Sequence, residues 1–389
     1  MDSKNLLKVL AAGALALSAL TGCSQGSTGG GDTKKIGLHF ELTGEVADYG
    51  NAEKKGAQLA IKLANEKSGS TVYEGIEFDN KSDTTEAVSI ANQVVAAGVI
   101  GVVGPATSGA SKATYQVNND AKLPVISPSA TEINVTHVDT KDANSAVYDY
   151  AYRTCFEDSF QGAAMAQFAY DTLNAKTAAI YGEVSDYGKG LTKAFTEQFT
   201  KLGGTVVATE SYQSKTTDFN SVLTSLASKN FDVLYIPGYY QEAGLIIKQA
   251  KNLGIDAKII GPDGFDSETL VSLAEAKNLN DVYYTTAYTT VGASAELQAF
   301  IDAYKKEYNE EPNMFAALAF DATNLLIQAV ESANSTDGAA IKAELDKIEF
   351  SGITGSFTFD ENHTPIKSVL VVELVDGVQS DAVNVTPKN

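Results

Sequence analysis

The sequence predicts an α/β fold with two doubly wound lobes, each built on a parallel sheet. Short β-branched and apolar runs alternate with longer segments of helical spacing over two long stretches of the chain. The 389 residues, even without the N-terminal leader described below, exceed what one hydrophobic core usually serves. No convincing internal repeat is present, so the lobes are expected to share an architecture rather than a duplicated sequence.

The first alternating stretch follows a polar segment near the N-terminus. Residues 35–40 form a short apolar run typical of a strand, and the apolar positions of residues 51–66 have helical spacing. Asp83 suits the N-cap of a helix at 85–97, because its short side chain can accept hydrogen bonds from free backbone N–H groups. The other predicted elements here are strands at 76–79, 99–103 and 124–127 and a helix at 108–120.

The same alternation resumes after Arg153. Strand-like and helix-like segments again take turns, which predicts the second lobe and a return of the chain to the first. The predicted strands are 177–181, 205–212, 233–236, 258–260 and 282–287, with short ones around 355–359 and 368–374. The predicted helices are 159–173, 188–202, 219–228, 242–253, 296–308 and 314–333.

The N-terminus carries a leader of secretory type. Residues 6–20 form an apolar run shorter than the about 20 residues of a comfortable transmembrane helix. The closing Leu20-Thr21-Gly22-Cys23 resembles the lipobox of bacterial lipoproteins, in which the cysteine carries the lipid. We therefore expect a lipoprotein signal peptide over 1–22, a lipid on Cys23 and a flexible tether over 23–33. An ordinary signal peptide with an incidental cysteine is the alternative.

The composition argues against several classes of function. The formal net charge is −20 and Arg153 is the only arginine, so the chain lacks the clustered basic residues that nucleic acids select. Acidity of this kind keeps an extracellular protein soluble. Once Cys23 is lipidated, Cys155 has no partner for an internal disulfide. The three histidines are scattered without metal-ligand spacing, so we expect neither a metal nor a cofactor.

Functional residues are expected in the loops that follow strands, because ligands of open α/β sheets bind beyond the carboxyl ends of the strands. In the loop at 104–109, Thr107 or Ser108 caps the next helix, whose free first-turn N–H groups make a carboxylate site. A routine N-cap is the alternative. The next loop offers hydroxyl and backbone groups, or is a simple turn. Its candidate residues are Ser129, Ala130 and Thr131.

Loops of the second stretch contribute aromatic and acidic residues. Tyr239 can stack on a ligand and donate a hydrogen bond. Asp263 is either a turn residue or a carboxylate that pairs with a cation. A carboxylate opposite a helix N-terminus gives one anionic and one cationic subsite, which indicates a zwitterion such as an α-amino acid. Tyr49 and Tyr187 lie in two further post-strand loops.

The sequence offers no set of catalytic residues. Residues 182–189 have the wrong spacing for a phosphate-binding loop. There is also no Gly-x-Ser-x-Gly elbow and no plausible Ser, His and Asp set. We therefore expect a binding protein rather than an enzyme, and a secreted two-lobe hydrolase is the least favoured hypothesis.

Eight loop motifs occur in a fixed order along the chain. They are Leu42-Thr43-Gly44 with Tyr49-Gly50; Asp83; Gly104-Pro105 with Thr107-Ser108; Ser127-Pro128-Ser129-Ala130-Thr131; Arg153-Thr154 with Asp158 and Gln161-Gly162; Asp186-Tyr187-Gly188 with Gly190; Gly238-Tyr239; and Gly261-Pro262-Asp263-Gly264. The set resembles the branched-chain amino acid (Leu/Ile/Val) binding proteins of ABC importers, which have the type I periplasmic-binding-protein fold. The resemblance covers residues 34–389.

The resemblance implies roles for individual residues. Asp263 pairs with the ligand ammonium, and Tyr239 holds the ligand from the second lobe. The residues that hold the ligand α-carboxylate and α-ammonium through hydroxyl and backbone groups are Thr107, Ser129 and Thr131, with Ser108 as an adjacent candidate. The wall of the side-chain pocket consists of Tyr49, Tyr187 and Phe315.

The resemblance also implies a three-strand hinge between the lobes. Lobe 1 is expected at 34–152 plus 285–353, and lobe 2 at 153–284 plus 354–389. The three crossings are expected near 152–156, 284–288 and 354–359.

Two departures from the family pattern stand out. Ser82 and Ala106 occupy the positions of a disulfide found in Gram-negative leucine binders, which agrees with a lipid-anchored protein of a Gram-positive bacterium. Glu41 and His39 lie at or near the first cleft loop, where leucine binders are small or apolar. If Glu41 faces the pocket, a polar or cationic ligand side chain becomes plausible; otherwise Glu41 is exposed at the rim.

The leading functional hypothesis is an extracellular, membrane-anchored, monomeric lipoprotein that captures an aliphatic or other apolar amino acid by hinge closure. It would deliver this ligand to a permease driven by ATPase subunits. A sensory receptor of the same fold is the main alternative, and a carrier for a polar amino acid or an amide is another. Neighbouring permease or kinase genes would separate transport from sensing.

Overall fold

Two open sheets, one of five strands and one of seven, organise the chain. The computed structural model describes residues 33–387. The predicted signal peptide, Cys23 and almost all of the predicted tether lie outside the described residues.

Residues 34–153 build the five-stranded sheet. Its strands are β1 (Lys34–Phe40), β2 (Tyr73–Asp79), β3 (Gly101–Val103), β4 (Val125–Ser127) and β5 (Ala151–Arg153), and the helices between them are α1 (Ala47–Ser68), α2 (Thr84–Ala96) and α3 (Ser108–Asp120). Every pairing is parallel, in the order β2-β1-β3-β4-β5. The chain leaves β1 first to one side and then to the other, so the crevice expected of such sheets opens beyond the carboxyl ends of β1 and β3.

Residues 158–286 supply most of the seven-stranded sheet. The elements are α4 (Asp158–Asp171), β6 (Thr177–Glu183), α5 (Asp186–Lys201), β7 (Thr205–Tyr212), α6 (Asn220–Ala227), β8 (Val233–Tyr235), α7 (Tyr240–Asn252), β9 (Lys258–Gly261), α8 (Glu268–Ala274) and β10 (Val282–Thr286). Short 3₁₀ turns at Asp263–Phe265 and Ala276–Asn278 flank α8. The Asp263–Phe265 turn directly follows β9, which places Asp263 at the carboxyl end of that strand.

The last part of the chain returns to the first sheet and then completes the second. Its elements are α9 (Ala295–Tyr308), α10 (Met314–Ala333), α11 (Gly338–Leu345), β11 (Phe350–Gly352), β12 (Gly355–Phe357), β13 (Val369–Val375) and β14 (Val378–Val385). Helices α9 and α10 pack on α1, and β11 pairs with β12 as a small separate sheet. The seven-stranded order is β14-β13-β10-β9-β8-β6-β7, with β13 and β14 antiparallel at one edge.

The structure confirms the predicted α/β fold class with parallel sheets flanked by helices. Asp83 caps α2 as predicted, accepting from Glu86 N at 2.8 Å, and Thr107 rather than Ser108 caps α3. The pattern missed β5, α8, α11, β11 and β14. Strands β5 and β11 have only three residues each, too few for a period to show. The other three bury few side chains, only Ile341 and Leu345 in α11 for example, so they lack the apolar period on which the predictions rest.

The chain passes between elements of the two sheets at three connections, residues 154–157, 287–294 and 358–368. We call the elements packed on the five-stranded sheet the first lobe and those packed on the seven-stranded sheet the second lobe. The residue boundaries and crossing points inferred from the sequence remain predictions.

Within residues 33–387, one helix, α10, is long and apolar enough to cross a membrane. Core helices pass the same test, and 78% of its apolar window is buried inside the protein. It contacts α1, α11, β3 and β4, which makes it the central helix of the first lobe.

Candidate ligand-binding site

Loops from both sheets meet around a small cavity. The first lobe contributes Tyr49, Ala106, Thr107, Ser108, Ser129 and Phe315 to its wall. The second lobe contributes Tyr187, Tyr239, Asp263 and Gly264. The wall therefore combines aromatic faces, hydroxyl groups, a helix N-terminus and one carboxylate.

The structure brings together eight of the ten predicted ligand-binding residues and leaves two of them off the cavity wall. The Ser127 hydroxyl accepts from Ala130 N at 3.0 Å, and this tight turn aims Ser129 at the cavity while Ala130 packs in the core. Thr131 is also buried away from the wall. Sequence reasoning missed Ala106 and Gly264, whose only signal is that they adjoin predicted residues.

Two stacked aromatic pairs form the apolar part of the wall. The rings of Tyr49 and Phe315 lie 4.1 Å apart at 27°, and those of Tyr187 and Tyr239 lie 4.9 Å apart at 5°. Tyr49 also meets Tyr239 edge to face across the cleft, with ring centroids 5.8 Å apart. These faces suit an apolar group, since offset aromatic pairs exclude water while presenting few polar atoms.

The Tyr49 hydroxyl joins the two lobes directly. It donates to Gly264 O at 2.6 Å and accepts from Tyr240 N at 3.3 Å. Gly50 makes this position of α1 possible, because a Cβ there would lie 2.2 Å from Glu41 O. The helix can thus start close against the end of β1, with Tyr49 reaching across the cleft.

Asp263 is a buried carboxylate without a counter-charge. Its Oδ1 accepts from the Tyr187 hydroxyl at 2.5 Å and from Gln161 Nε2 at 3.0 Å. It forms no ion pair with any side chain of residues 33–387. Burial raises the pKa of Asp263 to about 6, against the lowering effect of those hydrogen bonds.

A second buried carboxylate lies behind Asp263. Gln161 Nε2 also donates to Asp158 Oδ1 at 2.7 Å, so one amide group bridges the two acids. Burial, with the nearby Asp263 charge, raises the pKa of Asp158 well above its usual value. Burial thus disfavours charge on both acids, and the shared amide group of Gln161 couples them.

Glu41 lies on the N-terminus of α3, behind the cavity wall. Its Oε2 accepts from Ala106 N at 3.0 Å, and its Oε1 accepts from Thr107 N at 3.1 Å and from the Thr107 hydroxyl at 2.7 Å. Burial raises the pKa of Glu41 above its usual value, and these three hydrogen bonds only partly oppose the rise. The Glu41 carboxylate therefore occupies N–H and hydroxyl donors that were expected, from the sequence, to bind a ligand carboxylate.

Neither alternative for Glu41 drawn from the sequence describes its place. The side chain is fully buried, so it is not exposed at the rim, and it does not line the cavity, so it offers no charge to a ligand side chain. His39 is also fully buried, and burial lowers its pKa to about 3. It is a neutral core residue of β1.

Glu53 carries a proton by the geometry of its contacts. The Ser129 hydroxyl oxygen lies 2.9 Å from Ala106 O and 2.5 Å from Glu53 Oε1. A hydroxyl has one proton and a carbonyl oxygen has none, so the Glu53 carboxyl must supply the proton for one of these contacts. Burial, with the Glu41 charge as a further cause, raises the pKa of Glu53 well above its usual value.

Glu53 was missed in the sequence, although a signal existed. It lies four residues after Tyr49 on α1, so both face the same side of the helix. Its position beside Ser129 supports the floor of the cavity.

Ser108 presents a hydroxyl proton to the cavity. Its Oγ accepts from Glu132 N at 3.1 Å, and among residues 33–387 it donates to no acceptor. The first-turn N–H groups of α3 adjoin it. Ser108 is therefore a donor available to an anionic group.

Comparison with known proteins agrees with this architecture. The sequence profile of the family described as periplasmic binding protein matches residues 33–379. The leucine-, isoleucine-, valine-, threonine- and alanine-binding protein of Pseudomonas aeruginosa is 29% identical over 332 residues, which cover 85% of this chain and 86% of that protein.

Two solved structures share both sequence and fold. LivJ of Streptococcus pneumoniae, a branched-chain amino acid transporter substrate binding protein solved with isoleucine, is 40% identical, covers 91% of this chain and 100% of its own, and has a TM-score of 0.84. The leucine binding protein LivK of Thermotoga maritima is 32% identical, covers 91% and 99%, and has a TM-score of 0.83. The chain belongs to the periplasmic binding protein family and is a solute-binding protein of the type I fold, not an enzyme.

Proposed function

We propose that the chain is the solute-binding lipoprotein of an ABC importer, which captures an amino acid with an aliphatic, branched or other apolar side chain. The observation that carries this proposal is the uncompensated carboxylate of Asp263 in the same cavity as two aromatic stacks and the Ser108 hydroxyl.

The zwitterionic end of the ligand accounts for the polar groups. A buried carboxylate is stabilised by a paired cation, and the ligand ammonium supplies one to Asp263. The Ser108 hydroxyl supplies a donor for the ligand carboxylate. Among residues 33–387, no Lys or Arg side chain lines the cavity.

The walls of the cavity favour an apolar ligand side chain. The stacked rings of Tyr49 with Phe315 and of Tyr187 with Tyr239 give the cavity apolar sides. The branched-chain amino acids named for the relatives have side chains of this apolar kind.

Hinge closure is the proposed mechanism. The ligand contacts residues of both lobes, so it makes its full set of contacts only when the cleft is closed and shifts the population toward that state. Direct bonds such as that of the Tyr49 hydroxyl with Gly264 O add to closure. The closed, monomeric protein then docks on a membrane permease, whose ATPase subunits drive import.

A lipid on Cys23 would hold the protein at the outer face of the membrane, with the Ser- and Gly-rich segment after it as a tether. The variant Cys23→Ser should appear in the culture medium instead of the membrane fraction. Membrane association that survives the substitution would exclude lipidation as the anchor.

A thermal-unfolding screen tests the proposed ligand class. The purified chain is stripped of co-purified ligand by unfolding and refolding, then heated with each common amino acid. A ligand at a hundred times its Kd adds about 2.7 kcal/mol of stability. We expect stabilisation by leucine, isoleucine or valine, and none by aspartate or glutamate. Stabilisation by no apolar amino acid would refute the proposal.

A further inference from the structure

The Thr107 hydroxyl is already committed as a donor to Glu41. Each oxygen of the Glu41 carboxylate accepts a backbone N–H, from Ala106 N at 3.0 Å and Thr107 N at 3.1 Å. Burial raises the pKa of Glu41, and such bonds at a helix N-terminus oppose that rise by favouring the ionised acid. An ionised carboxylate cannot donate a hydrogen bond. The Thr107 hydroxyl therefore donates its one proton to Glu41 Oε1, 2.7 Å away.

We propose that Glu41 replaces a ligand carboxylate at the N-terminus of α3 and turns the Thr107 hydroxyl into an acceptor for the ligand ammonium. The hydroxyl oxygen keeps two lone pairs, of which Ala110 N uses one at the long distance of 3.4 Å. The other is available to a donor in the cavity that Thr107 lines. This inference rests on the proposed function.

The two ends of the ligand are then held differently from the assignment that the family resemblance implied. The ammonium lies between acceptors of opposite lobes, the Thr107 hydroxyl oxygen and the Asp263 carboxylate. The carboxylate turns to the Ser108 hydroxyl, which retains its proton because it accepts from Glu132 N. Glu41 touches no ligand atom and acts as a specificity-determining residue through Thr107.

Leucine and leucinamide separate the two roles of Thr107, because both carry the ammonium and only leucine carries the carboxylate. The measured quantity is the ratio of the leucinamide Kd to the leucine Kd, obtained by calorimetry on the whole chain. With an accepting Thr107, the variant Thr107→Val weakens both ligands about tenfold or more, the loss expected for a hydrogen bond to a charged group, and leaves the ratio unchanged. Thr107→Ser restores both affinities.

Substitution of Glu41 gives the complementary test. Glu41→Ala releases Ala106 N, Thr107 N and the Thr107 proton, all of which attract a carboxylate, so the ratio should rise about tenfold or more. Because this variant also unpairs buried N–H groups, Glu41→Gln, which keeps the shape and removes the charge, is measured beside it and should move the ratio in the same direction. Thermal unfolding without ligand verifies that each variant folds.

A fall of the ratio in Thr107→Val would overturn the inference, because it means that the hydroxyl donates to the carboxylate. A ratio that stays constant or falls in both Glu41 variants would overturn it as well. If the wild-type chain binds neither leucine nor leucinamide, the proposed function itself fails. Binding of both by the wild type with the wrong response of the variants rejects only the role of Glu41 and Thr107.

Discussion

Replacing Asp263 by asparagine removes the charge that binds the ligand ammonium and changes the shape of the side chain very little. The amide oxygen can still accept from the Tyr187 hydroxyl and Gln161 Nε2, which now lie 2.5 and 3.0 Å from Oδ1. The amide nitrogen takes the place of the second carboxylate oxygen and can only donate. A ligand ammonium then meets a neutral donor instead of an anion.

The expected loss follows from burial. Asp263 is 2% exposed, so the ammonium that it pairs with is removed from water when the cleft closes. Removing one member of a buried ion pair costs about 3–5 kcal/mol, and each 1.4 kcal/mol is tenfold in Kd. The Kd for leucine should therefore rise by about two to three and a half orders of magnitude.

The same substitution should stabilise the unliganded protein, although it weakens leucine binding. The folded-state pKa of Asp263, about 6, lies above its usual value of 3.8, so at neutral pH folding works against a buried anion. Asparagine removes that anion. The unliganded variant should therefore unfold at a higher temperature than the wild type at pH 7.5.

Calorimetry with leucine measures the affinity, and Asp266→Asn is the matched control. Burial also raises the pKa of Asp266 to about 6, yet this residue does not line the cavity; its carboxylate accepts from Met314 N at 2.8 Å. The control should retain its affinity to within a few-fold. An affinity of Asp263→Asn equal to that of the control would refute the pairing of Asp263 with the ligand ammonium.

The remaining predictions concern pH, closure and the floor of the cavity. Leucine affinity should weaken as the pH falls through about 6, because protonation of Asp263 removes the charge that holds the ammonium; titrations at pH 7.5, 6 and 5 measure this. Tyr49→Phe loses the 2.6 Å bond to Gly264 O and should weaken leucine, isoleucine and valine alike, by about tenfold. Glu53→Gln should leave affinity and unfolding free energy nearly unchanged, because its amide can donate to Ser129 as the protonated acid does.

Each of these outcomes has a counterpart that contradicts it. A pH dependence that persists in Asp263→Asn would assign the titration to another group. A Tyr49→Phe effect that differs strongly among the three amino acids would show that the ring senses the ligand side chain rather than closure. A large loss of affinity in Glu53→Gln, with the fold intact, would mean that Glu53 is ionised.

Much of the fold and most of the cavity could be predicted from the sequence, because post-strand loops of parallel sheets converge on one edge. That rule placed Thr107 at the edge of the first sheet, and Asp263 and Tyr239 at the edge of the second, although 156 positions separate Thr107 and Asp263 in sequence. The family resemblance supplied the cleft between the two edges. The rule does not predict tertiary contacts, because no local sequence pattern encodes them.

Glu41 illustrates what the sequence could not supply. Its partner is the loop after β3, and the parallel pairing of Leu38 with Val103 brings that loop beside the end of β1. Without this register, a carboxylate that follows a strand is expected to lie exposed at the rim of the cleft. Edge strand β14 escaped for a related reason, since most of its residues are exposed and its polar positions interrupt any apolar run.

Equilibrium titration of the ligand-stripped chain with leucine and with its 2-hydroxy analogue, which replaces the ammonium by a hydroxyl, tests the central claim most directly. The account predicts that leucine binds and that the hydroxy acid, which leaves the buried Asp263 carboxylate unpaired, binds at least a hundredfold more weakly, as expected for the loss of about 3 kcal/mol. Equal binding of the two compounds would contradict the claim that this cavity recognises an amino acid through its charged ammonium group.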